Sequence, residues 1–98
     1  MRFAQSIEFE TSRIDDFNTH LDGWVTRTAG SRVPHRAVLR RDRAADDLYQ
    51  LMVEFSSYDQ GMENSDRPAT AEFATFLAGI CDAPATFRNL VVLREDDL

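Results

Sequence analysis

Phe3, Ile7 and Phe9 alternate with Ala4, Ser6 and Glu8, the two-residue period of a half-buried strand. Gln5 falls on the apolar side of that strand and needs a polar partner there. Thr11-Ser12-Arg13 stops it, and Ser12 with Asp15 three residues on reads as a capping box opening a helix. Ile14, Phe17, Leu21, Trp24 and Val25 recur at helical spacing, with Asp15, Asp16, Asp22 and Arg27 on the wet side, so this helix runs to about Thr28. Gly30 and Pro34 then end it and redirect the chain. His35–Arg41 is a second strand, carrying arginines on both faces as a protected edge does. After the connection Asp42–Asp47, the third strand Leu48–Phe55 sets Tyr49, Leu51, Val53 and Phe55 on one face and Leu48, Gln50, Met52 and Glu54 on the other. Apolar on both sides, it belongs in the middle of a sheet.

Ser57 caps a short helical turn through Met62, and Asn64-Ser65-Asp66-Arg67-Pro68 makes a break. Ala69, Phe73, Phe76, Leu77 and Ile80 mark the buried face of a second long helix, which Ala83-Pro84 ends. Phe87–Arg94 alternates as the last strand, so residues 1–94 form a single domain and residues 95–98 an acidic tail. The order strand, helix, strand, strand, helix, strand is the split βαβ pattern of a ferredoxin-like α+β domain, a four-stranded antiparallel sheet with both helices on one face. The other face carries Leu48, Met52, Leu90 and Val92, and burying them against a second copy gives a homodimer.

Composition narrows the partners more than it names them. In 98 residues a formal net charge of −6 leaves no basic surface for nucleic acid. All eleven basic residues are Arg, so lysine Schiff-base chemistry is absent. Cys81 stands alone, which fits a reducing compartment and reads as a packed small residue. With neither a leader pattern nor a long apolar run, the expectation is a cytoplasmic protein without a membrane partner. Two histidines and one cysteine far apart give no metal spacing, and no nucleotide, dinucleotide, hydrolase-elbow or CxxC motif occurs, so no cofactor is expected.

Two constellations carry possible chemistry. His20 and Trp24 lie one helical turn apart; with Gln5, Tyr49, Asn64 and Phe73 they outline an aromatic-lined pocket in which His20 is the candidate proton acceptor. The same residues also fit a plain core with His20 at the surface, and a cavity of roughly a few hundred Å3 separates the two readings. On the opposite face, Glu8 and Glu54 sit late on two strands expected to run parallel, with Arg36 and Arg88 flanking them, an ion-pair cluster suited to a dimer interface.

The opening strand Phe3–Phe9, the third strand Tyr49–Phe55 and the run from Ser57-Tyr58-Asp59-Gln60-Gly61 through Asn64-Ser65 and Pro68-Ala69-Thr70 to Glu72-Phe73 together resemble the dimeric α/β-barrel superfamily, within it proteins similar to the antibiotic-biosynthesis-monooxygenase domain. The resemblance implies two sheets paired face to face and a small ligand held between each sheet and its helices. It also implies a cofactor-independent monooxygenase-like activity on an aromatic or polyketide-type compound, or a non-catalytic ligand carrier or interaction barrel. Haem-degrading relatives carry a histidine on the second long helix, where this chain has none, and Asn64-Ser65 stand where quinol-oxidising relatives often have a histidine.

Overall fold

The computed structural model describes residues 2–98. The strands are β1 (Phe3–Glu10), β2 (Arg36–Arg41), β3 (Leu48–Phe55) and β4 (Thr86–Val91); the helices are α1 (Ile14–Arg27), α2 (Tyr58–Ser65) and α3 (Pro68–Ile80). The order β2-β3-β1-β4 is antiparallel at every step, in a βαββαβ arrangement with α2 as an added short helix. The helices cover the face that carries Phe3, Ile7, Phe9, Tyr49, Leu51 and Phe55, all buried. Phe17 of α1 is wholly buried and stacks on Phe9 at 5.0 Å between ring centroids, and Phe9 in turn stacks on Tyr49 at 5.7 Å. Leu77 and Ile80 of α3 close the same core.

Several local readings are corrected by backbone geometry. β1 and β3 are antiparallel, because the β2–β3 hairpin reverses the chain while the α1 crossover returns β2 parallel to β1. Ser12 does not cap α1: Arg13 precedes the helix without a side-chain cap, and its N–H donates to Thr11 Oγ1 at 3.0 Å. The turn after Ser57 is a full helix, capped by the Ser57 hydroxyl accepting from Gln60 N–H. It ends at Ser65 because Arg67, preceding a proline, is held extended at φ −78° and ψ 142°, and Pro68 opens α3. β4 stops at Val91, since β1 begins at Phe3 and offers only the Arg2 carbonyl, which Val92 N–H reaches at 3.0 Å.

Two close approaches fix the helices on the sheet. Thr11 has no exposed surface; its hydroxyl donates to the Ile80 carbonyl at 2.6 Å and so binds the end of β1 to the last turn of α3. Gly61 presses α2 onto Phe3, where a Cβ would stand 2.5 Å from Cδ2 and closer still to Cε2. Gly30, at φ 80°, makes the left-handed turn that closes α1.

Candidate functional site

The side of the sheet that turns towards α1 carries a cleft whose floor is Gln5, Ile7, Ala37, Leu51 and Val53. Leu21 and Trp24 of α1, Asn64 at the end of α2, and Thr70 and Phe73 of α3 form its walls. Its volume is about 60 Å3, and it opens to solvent. Three polar groups interrupt the apolar lining. Gln5 Nε2 donates to Asn89 Oδ1 at 3.2 Å, which leaves the Gln5 carbonyl as an acceptor. Thr70 Oγ1 donates to the Asn64 backbone carbonyl at 2.6 Å, fixing the elbow that presents the Asn64 amide. No ionisable side chain lines this inner cleft.

A wider groove of about 350 Å3 adjoins it, sharing Leu21, Trp24, Pro34 and Ala37 and adding Val25, Arg32, His35 and Arg36. Close to Asn64 in the chain, Arg67 links α2 to the loop after α1: Nη1 donates to the Ser31 carbonyl at 2.7 Å, and Nη2 pairs with Glu63 at 3.1 Å.

Four of the six residues expected in a pocket, Gln5, Trp24, Asn64 and Phe73, meet in the inner cleft. The other two do not. Tyr49 lies opposite Phe9, four residues along β3 from the Val53 that faces Gln5, and is buried in the core. His20 is turned into the seam between α1 and α3, its ring stacked on Phe76 with centroids 4.0 Å apart and planes at 6°, and with Nε2 buried without a hydrogen-bond partner. The base proposed for the pocket is thus absent from it. Pro34, Ala37 and Thr70 also line it, and small or apolar residues near element ends carry no chemical signature in a sequence.

The expected four-residue ion cluster is two separate pairs on the uncovered face. Arg88 Nη1 stands 3.2 Å from Glu8 Oε1, and Arg36 Nε stands 3.6 Å from Glu54 Oε2. Glu8 faces Gln50 and Glu54 faces Ala4, so in an antiparallel register the two carboxylates sit four residues apart, about 13 Å. Leu48, Met52 and Leu90 share that face, and Leu48 and Leu90 are exposed; Val92, expected there too, lies beyond the end of β4. Burial pushes the Cys81 thiol up, and the Asp82 carboxylate beside it adds to the shift, so it stays protonated at neutral pH. Among the described residues no group of His, Cys, Asp and Glu gathers to hold a metal ion, and no helix is long and apolar enough to cross a membrane.

No family model matches the sequence, and no curated protein matches it. Among solved structures, the chain is similar to SnoaB, a cofactor-independent oxygenase from Streptomyces nogalater, with a TM-score of 0.78 at 15% identity over 96% of this chain and 95% of that one. A protein from Mycobacterium tuberculosis gives 0.77 at 15% identity over 99% and 100% of the two chains. A proposed antibiotic biosynthesis monooxygenase from Bordetella bronchiseptica gives 0.76 at 16% over 95% and 98%. Over nearly its whole length the chain therefore has the ferredoxin-like fold of the antibiotic biosynthesis monooxygenase proteins.

Proposed function

We propose that this chain binds a small aromatic or polyketide-type compound between its sheet and helices, as a homodimer, and acts on it as a cofactor-independent monooxygenase. The observation that supports the reading is the cleft itself: an apolar slot walled by Trp24 and Phe73, into which Gln5 and Asn64 bring the few polar groups that orient a ligand. The likeness to a cofactor-independent oxygenase is in keeping with it. In such a reaction an activated methylene or phenolic carbon gives a carbanion that reacts with oxygen directly. For a methylene, one oxygen atom becomes the carbonyl and the other leaves as water with the two hydrogens, the substrate supplying all four electrons. Asn64 and Gln5 are the orienting residues; neither is a base. The uncovered sheet face, with Leu48, Met52 and Leu90 flanked by the two Arg–Glu pairs, is the dimer surface in this reading.

A second reading, a carrier that holds the compound unchanged, is favoured by the inner cleft's lack of any ionisable side chain. Oxygen uptake with anthrone, measured on chelator-treated protein, separates the two. Turnover that falls at least about tenfold in Asn64→Ala supports the enzyme, whereas anthrone binding without oxygen uptake supports the carrier.

A further inference from the structure

The inner cleft holds no charge, yet the adjoining groove is lined by Arg32, His35 and Arg36 and by no acidic residue, in a chain whose formal net charge is −6. These basic groups are not equivalent. The Arg36 guanidinium lies against Glu54, 3.6 Å away on the uncovered face. Arg32 has no carboxylate partner among the described residues. Its Nη2 donates to the Val25 carbonyl at 3.2 Å, and its Cζ stands 5.9 Å from the Trp24 ring centroid. The guanidinium is thereby fixed at the rim of the aromatic wall with most of its donor fork unspent. His35 shares the groove, its backbone N–H tied to the Glu54 carbonyl at 3.0 Å, which prolongs the β2–β3 pairing and sets its side chain on the side of β2 that carries Ala37.

We propose that Arg32, with His35 beside it, is an anion-recognition site at the mouth of the cleft, and that the ligand is an acidic aromatic compound. Its carboxylate, or an ionised phenol or enol, is held by the Arg32 fork, its ring lies along Trp24, Leu21 and Pro34, and its apolar end points towards Ile7 and Val53. The groove's 350 Å3 is of the size of small-molecule sites, roughly 300–1,000 Å3, which the inner cleft alone is not. The assignment also answers a chemical need. A phenol or enol bound as its anion has already lost its proton to solvent, so the cleft requires no base of its own.

The inference rests on the ligand-binding reading of the cleft, and a pair of probes keeps the two apart. 1-Naphthoate and its uncharged counterpart 1-naphthamide are titrated by calorimetry and by quenching of Trp24, the single tryptophan. The naphthoate is expected to bind about tenfold more tightly, with a preference that shrinks as salt is raised. Arg32→Gln removes that preference and leaves naphthamide binding within about twofold. Arg32 is exposed, so this variant leaves the core untouched. Equal binding of the two probes, or an unchanged preference in Arg32→Gln, overturns the anion site while the cleft stands as a ligand site. Neither heat nor quenching from either probe removes the ligand-binding reading, and this inference with it.

Discussion

Replacing Thr11 by valine tests how the end of β1 is locked to α3. The hydroxyl is fully buried, donates to the Ile80 carbonyl at 2.6 Å and accepts from Arg13 N–H at 3.0 Å. Valine keeps the shape of the side chain and removes both bonds. The Ile80 carbonyl, buried in the last turn of α3, then loses a partner that water cannot replace, which costs about 1–3 kcal/mol. The Arg13 amide is only partly buried, so water recovers much of its bond and the loss there is about 0.5–1 kcal/mol. A methyl group against the carbonyl adds a little crowding. The sum is about 2–4 kcal/mol, a large fraction of the roughly 5–15 kcal/mol by which domains are stable. With a urea dependence near 1–1.5 kcal/mol per molar for a chain of this length, the unfolding midpoint should fall by about 2 M at constant slope. Wild type and variant must be compared at equal protein concentration, so that any self-association weighs equally on both. Thr11→Ser, which retains the hydroxyl, should lose only about 1 kcal/mol. A Thr11→Val midpoint within about 0.4 M of wild type would show that the two bonds do not hold the joint and refute the reasoning.

Gly61→Ala sets helix propensity against packing. Alanine gains about 1 kcal/mol in a helix, but the new methyl meets the Phe3 ring, which is itself wedged between Phe55 and Tyr58, so a net loss of about 1–2 kcal/mol is expected in thermal unfolding. Met52→Glu places a charge at the centre of the uncovered face; sedimentation should shift from a dimer towards the 11.2 kDa monomer with the circular dichroism unchanged, and a wild type that already sediments as a monomer excludes the dimer. Because the Cys81 pKa is raised above its ordinary 9.0, alkylation by iodoacetamide at pH 8 should be slower than for a free thiol and should accelerate only as the pH climbs past that value. The corresponding stability contribution is full below pH 9 and is lost as the pH rises through the folded-state value, so a rate equal to that of a free thiol at pH 8 would contradict the burial argument.

Alternation along Phe3–Phe9 and Tyr49–Phe55 tells which side chains share a face, and that much carried straight through to the sheet. It does not tell which way a strand runs. Glu8 and Glu54 would stand side by side only on parallel strands, and the hairpin reversal separates them into two pairs. His20 failed for a related reason. A residue at the edge of a helix's apolar stripe faces the sheet or the neighbouring helix according to where that neighbour crosses, and here α3 brings Phe76 over the imidazole. Thr11 read only as a strand stop, because its partner, the Ile80 carbonyl, lies 69 residues away in the chain and no local pattern announces it. Arg32 and His35 lie between α1 and β2, where nothing local marks a site; the groove beside Trp24 exists only once β2 has returned along α1.

Arg67 joins two segments that are far apart in the chain. Its guanidinium ties the Ser31 carbonyl, in the loop after α1, to Glu63 on α2 through a single side chain. A loop transplanted in place of residues 28–35 would keep this tie only if it offered a carbonyl where Ser31 does.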